Sequence, residues 1–410
     1  MLSTPQRTAK SGTSFARTRR ITQLGVIALA MMTRSVLGQE AKPSSDAMQA
    51  IPIERTEGDA VFTNYTFRDG EKLLQSRIHY VTLGHKHLNV RGEIDNAVLL
   101  LHWTNASSQA LVTPEFQRAL FAPGSPVDVS RYFIVIPDDI GHGHSSKPSD
   151  GLKARFPHYG YGDMVDLQRK LLADSLRIEH LHAVIGMSMG CMNAWQWAEA
   201  YPEAEDGIMP IACFPAPISG RNLLWRRLLI DTVHADPAWN GGNYETQPPS
   251  ARFAFELARM MIDGVPALQQ EVRTPEEADT LLTNVSSQTK ALDVNDLLYA
   301  FDSSRDFNAE PGLSTIKTKV FALNFEDDEF YRDSLGILEN DVRRVPHGQQ
   351  VVQQAGPGSV GHLTMSHPAL WRAQVEAFMS SLDRDGQPLP NAAGLSIQPS
   401  SGLSEAAVMP

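Results

Sequence analysis

The sequence predicts an α/β fold, a mostly parallel sheet covered by helices on both faces, with a helical lid inserted late in the chain. Three observations predict it. Short apolar runs recur at 77–83, 97–101, 132–136, 181–185, 207–212, 319–323 and 350–353, and near-continuous runs of this kind belong to strands buried on both faces. Helix-like stretches such as 164–176 lie between them, the alternation expected of βα units. A glycine-bracketed serine, Gly186-Met187-Ser188-Met189-Gly190, stands between an apolar run and a helix-forming run that stops at Tyr201-Pro202. That is the strand, elbow, helix order that a nucleophile turn requires.

Taken in order, residues 1–38 read as a targeting segment. They carry six basic groups and no acidic ones, with Arg19 and Arg20 ahead of the apolar stretch 24–32, the layout of a secretory leader. Export to the periplasm or outside is therefore expected, with an organellar transit peptide as the alternative on the same Ser, Thr and Arg content. Residues 39–60 are polar and proline-bearing and read as a linker. The first part of the core is expected over 61–213 and the second over 312–385. Between them, over 214–311, no strand-like run occurs and aromatic residues sit among helix-like segments, which predicts the lid. In that lid Phe253, Leu257, Met260 and Met261 recur at helical spacing, a pattern read as ordinary packing. The tail 386–410, rich in Gly, Pro, Ser and Ala, is expected to be disordered.

Composition excludes several functions. The chain has 410 residues and a formal charge of −11, and beyond residue 38 it carries 30 basic against 47 acidic groups, so a nucleic-acid partner is not expected. No apolar run reaches the roughly 18–20 residues of a membrane-spanning helix. The two cysteines, Cys191 and Cys213, cannot form a disulfide framework, sit in no metal-ligand spacing, and are read as small buried hydrophobes.

The serine elbow needs a base and an acid. In sheets of this kind they follow in the order Ser, Asp or Glu, His. The run 319–323 leads into Glu326-Asp327-Asp328-Glu329, and Asp328 is the expected acid, a few residues past the strand, with Asp327 as the alternative. The glycine-rich stretch Gly356-Pro357-Gly358-Ser359-Val360-Gly361-His362 can carry an imidazole inward, so His362 is the expected base, ahead of His347 and His367. The oxyanion of an acyl intermediate needs two donors. The N–H of Met189 is one. The other is expected from the loop after 97–101, from Thr104 or, second, Trp103. His102 is read as structural. His142 and His144 tempt a metal reading, but beyond Asp139 no further ligand stands at a suitable spacing, so neither metal nor cofactor is expected.

Ile78-His79-Tyr80-Val81-Thr82-Leu83-Gly84, the elbow at 183–192, Ala235-Asp236-Pro237-Ala238-Trp239-Asn240-Gly241-Gly242-Asn243-Tyr244 and Asp293-Val294-Asn295-Asp296-Leu297-Leu298 together resemble the α/β-hydrolase superfamily and, within it, the homoserine O-acetyltransferase group, over residues 65–379. The resemblance implies the α/β-hydrolase fold, and it puts Ser188, the Asp327/Asp328 pair and His362 where that group carries its triad. Met261-Ile262-Asp263-Gly264-Val265-Pro266-Ala267 stands where the acetyltransferases have a Thr-Tyr-containing stretch that shapes the homoserine pocket. A serine hydrolase of carboxylic esters or related acyl compounds is therefore the expected function, with an O-acyltransferase as the alternative. Its expected partner is a small-molecule acyl substrate; a homodimer is left open.

Overall fold

A computed structural model describes residues 53–383. The targeting segment 1–38, the linker up to residue 52 and the tail 386–410 lie outside the described residues. Eight strands form one sheet: β1 (Arg55–Thr66), β2 (Lys72–Leu83), β3 (Ala97–Leu101), β4 (Phe133–Pro137), β5 (Ala183–Met187), β6 (Gly207–Ile211), β7 (Lys319–Phe325) and β8 (Gly348–Gln353). Their spatial order is β1-β2-β4-β3-β5-β6-β7-β8. The pairs β1/β2 and β2/β4 are antiparallel and all the others parallel.

The strand side chains explain the layering. Along β3, β4 and β5 successive residues turn to opposite faces. Leu99, Leu101, Val135 and Val184 pack with Met164, Trp195 and Trp197 from the helices Tyr161–Lys170 and Met189–Ala200. Val98, Leu100, Ile134, Ile136 and Ile185 pack with Trp371, Val375 and Phe378 around the helix Arg372–Leu382. Burial on both sides is what made these runs uniformly apolar. Between β6 and β7 the chain leaves the sheet for the helices Gly220–His234, Ser250–Ile262, Val265–Glu271, Pro275–Gln288 and Val294–Asp302. These hold a separate apolar cluster of Trp225, Leu229, Val233, Ala254, Phe255, Leu297 and Phe301.

Two sequence expectations are corrected. Residues 55–60 are not linker but the first half of β1, an outer strand that pairs only with β2. Ala60 is its one buried residue, so the strand needed no apolar run to betray it. Cys191 and Cys213 are joined in a disulfide, with Cα atoms 6.0 Å apart. The parallel pairing of Met187 with Ile211 puts the ends of β5 and β6 side by side, and each cysteine lies just past one of those ends. A single pair 22 residues apart carries no spacing pattern, so the sequence could not reveal it.

Candidate active site

The turn after β5 is built around its two glycines. A Cβ on Gly186 would lie 2.0 Å from the carbonyl oxygen of Gly190, and one on Gly190 would lie 2.6 Å from that of Leu101. With the elbow so compressed, Ser188 is held at φ 53°, ψ −108°, a strained conformation for a residue with a side chain. Ser188 N–H donates to the Ile211 carbonyl at 2.9 Å, which ties the elbow to β6, and its side chain faces a cavity above the carboxyl ends of the strands.

His362 Nε2 lies 2.8 Å from Ser188 Oγ, and its Nδ1 lies 2.7 Å from Asp328 Oδ2. The other Asp328 oxygen, Oδ1, accepts from the N–H groups of Phe330 at 2.8 Å and Tyr331 at 3.2 Å, so the carboxylate is fixed in place and fully buried. An ionised carboxylate at Nδ1 selects the tautomer with a proton there. Nε2 is then free to accept the serine proton. The rings of Phe330 and Tyr331 flank the imidazole, with centroids 4.8 and 5.7 Å away.

The other candidates fall elsewhere. Asp327 Oδ2 accepts from Gly361 N–H at 2.9 Å, so Asp327 holds the loop that presents the histidine rather than the histidine itself. His367 Nδ1 lies 3.2 Å from Glu115, and the His347 carbonyl accepts from Val320 N–H in the sheet. His142 is buried and pushed down to about 3 by that burial, which keeps it neutral, and Asp139 is raised by its own burial while it accepts from Gln168 at 2.6 Å.

Met189 opens the helix Met189–Ala200, where backbone N–H groups have no intrahelical acceptor. Trp103 and Thr104 line the same cavity as Ser188. The loop that carries them is fixed by His102. Asp139 N–H donates to His102 Nε2 at 3.1 Å, and Nδ1 donates to the Trp103 carbonyl at 2.8 Å. The Gly190 N–H donates to the carbonyl of His102 at 3.1 Å, joining this loop to the elbow helix.

The cavity measures about 620 Å³ including its open mouth. Trp225, Phe255, Ile262, Phe301, Leu363 and Met365 make most of it apolar; Arg226 and Tyr331 also line it. Arg226 gave no motif in the sequence and becomes a site residue only through the fold.

The family model described as "alpha/beta hydrolase fold" matches residues 96–305. A probable acyltransferase of Methanothermobacter thermautotrophicus is 24% identical over 301 residues, 72% of this chain and 90% of that protein. The homoserine O-acetyltransferase of Rhodospirillum rubrum is 34% identical over 197 residues, 45% of this chain and 49% of the relative, so only about half of that enzyme is matched. Among solved structures, an acetylester hydrolase from Corynebacterium glutamicum superimposes with a TM-score of 0.68 at 23% identity, over 80% of this chain and 95% of that one. At that identity the likeness concerns the fold.

Proposed function

The chain belongs to the alpha/beta hydrolase fold family, and on that premise we propose that it is a serine hydrolase of carboxylic esters working through an acyl-enzyme. The observation that carries the proposal is the unbroken line from Asp328 through His362 to Ser188 Oγ, with links of 2.7 and 2.8 Å, at the wall of an open, largely apolar cavity.

In this reading Ser188 Oγ attacks the ester carbonyl carbon while His362 Nε2 takes the hydroxyl proton. The carbonyl oxygen becomes an oxyanion held by the N–H groups of Met189 and Thr104. The alkoxide then leaves with the proton from Nε2, and the acyl group stays on Oγ. Water, deprotonated by the same nitrogen, attacks the acyl-enzyme and releases the acid. Asp328 stabilises the imidazolium in both halves. The helices between β6 and β7 serve as the lid over this reaction. Export is proposed with it: the leader-like residues 1–38 support it, as does the Cys191–Cys213 disulfide, a bond that persists in oxidising compartments.

Transfer to an alcohol is the second reading, favoured by the homoserine O-acetyltransferase relative. The two share the acyl-enzyme and differ in what resolves it. The test supplies the full-length protein with 4-nitrophenyl acetate and, separately, with acetyl-CoA and homoserine. Ester hydrolysis that falls by about 10⁴-fold or more in Ser188→Ala is the expected result. Homoserine-dependent release of CoA would instead assign the transferase.

A further inference from the structure

The cavity beside Ser188 has a cation in its lining. Arg226, on the helix Gly220–His234, is 6% exposed and lines the cavity together with Ser188 and Tyr331. Among the described residues no carboxylate pairs with its guanidinium. Nε donates to Asn222 Oδ1 at 2.9 Å, Nη1 donates to Ser304 Oγ at 3.2 Å and weakly to the Phe301 carbonyl at 3.5 Å, and the rings of Phe301 and Trp225 lie 5.0 and 6.0 Å from the charge. These neighbours are all neutral. A buried cation is ordinarily matched by an anion, because neutral dipoles replace only part of its lost hydration.

The atoms around it are donors without acceptors. The Tyr331 hydroxyl and Asn222 Nδ2 are buried and have no partner in hydrogen-bond geometry among the described residues; the Tyr161 hydroxyl has none either, but Thr104 and Ser304 lie close enough to influence it. The Arg226 charge acts on both hydroxyls, and burial raises both phenols far above neutrality, so each still has its proton to give. Tyr331 and Asn222 are close enough to influence one another but lie outside hydrogen-bond geometry. The carboxylates that act on these hydroxyls are engaged elsewhere: Asp328 with His362 and two backbone N–H groups, Asp306 with Tyr161 N–H.

We infer that Arg226, with Tyr331 and Asn222, binds a carboxylate on the substrate, so that the preferred esters carry a free acid group close to the bond that Ser188 cleaves. This rests on the hydrolase reading and narrows its substrate class. A planar guanidinium can meet both oxygens of a carboxylate, and the flanking phenol and amide supply further donors. Arg226 is the one arginine or lysine among the described residues that line the cavity, so a substrate anion finds its counter-charge there.

The experiment compares kcat/KM of the full-length protein on two near-isosteric pairs: monoethyl glutarate against ethyl 5-methylhexanoate, which puts the charge on the acyl side, and O-acetylglycolate against isobutyl acetate, which puts it on the alcohol side. The charged member should be preferred in at least one pair. In Arg226→Met that preference should collapse by about 100-fold, and Tyr331→Phe should lower it in the same direction in a protein that keeps its cation. A preference for the neutral ester in both pairs, or an equal loss on both members in Arg226→Met, overturns the inference. A binding arm separates it from the hydrolase reading: glutarate should raise the Tm of Ser188→Ala but not of the Ser188→Ala, Arg226→Met double variant. Hydrolysis of no ester together with that shift would remove the hydrolase and keep the anion site; no shift would remove the site.

Discussion

Asp327 and Asp328 are neighbours in the chain and divide two tasks between them. Asp328 meets the imidazole of His362 at 2.7 Å, whereas Asp327 accepts from the backbone N–H of Gly361, one residue before that histidine, at 2.9 Å. One carboxylate orients the ring and the other anchors the loop that delivers it.

Substitution should separate those tasks. Asp328→Asn leaves the shape intact but offers the ring an amide, which favours the wrong tautomer, and kcat should fall by about 10⁴-fold. Asp327→Asn keeps an oxygen that can accept from Gly361 N–H and loses only the charge assistance, worth roughly 1 kcal/mol, and should act on stability more than on chemistry. Parallel measurement of kcat and Tm in the two variants checks this. A larger loss of kcat in Asp327→Asn would exchange the two roles.

A second prediction concerns the loop after β3. Because His102 Nδ1–H holds the Trp103 carbonyl, and that carbonyl shares a trans peptide with the N–H of Thr104, the bond turns the N–H away from His102. Losing an oxyanion donor outright costs about 10²–10³ in kcat. If the Thr104 N–H is the donor proposed above, His102→Ala removes only what holds it, so kcat should drop by a smaller factor, about 10-fold or more, with KM changed little. A change confined to KM would mean that the loop shapes the pocket without serving the oxyanion.

How far these features could be read beforehand follows from what each residue does. The runs that became β3 to β7 were legible because burial on both faces leaves little besides apolar side chains, and Ser188 because two glycines are forced by close approach to Gly190 and Leu101. His362 could be found from the glycine-rich loop that presents it. The choice between Asp327 and Asp328 turned on where one tight turn points two adjacent side chains, which spacing leaves open. β1 was hidden because an outer strand can remain polar. Arg226, Asn222, Tyr161 and Tyr331 come from three separate segments, and nothing in any one of them announces that the fold gathers them around a buried cation with no carboxylate paired to it among the described residues.

The disulfide offers a third prediction. A cross-link that closes a loop of this size stabilises a fold by about 3 kcal/mol on the chain-entropy account. The double variant Cys191→Ser, Cys213→Ser should unfold at lower denaturant by that order. Peptide mass mapping without reductant should recover the two cysteines in one linked fragment; two free thiols in protein from an oxidising compartment would contradict the pairing.

The last prediction lies at the opposite end of the sheet. Glu205 is buried, neither of its carboxyl oxygens has a hydrogen-bond partner among the described residues, and burial, the largest influence on it, pushes its pKa from 4.5 up to about 8. The charge of the nearby Asp206 pushes the same way, while His180 and Arg169 oppose it. The folded state therefore keeps a proton that the unfolded chain gives up above pH 4.5. Between those two values the folded protein binds more protons, so this group's contribution to stability is complete below pH 4.5, shrinks as pH rises, and is lost once pH passes about 8. Glu205→Gln keeps the shape and removes the titration. Its Tm relative to the parent should rise steadily from pH 5 to pH 8 and level off above that. Comparing the two proteins at each pH cancels the titrating groups that Glu205 does not touch; His180, raised chiefly by its bond to Asp206 and in smaller part by Glu205 itself, would also lose stability as pH rises, and only the smaller part changes in the variant. A Tm difference that stays flat across that range would mean that Glu205 is ionised in the folded protein.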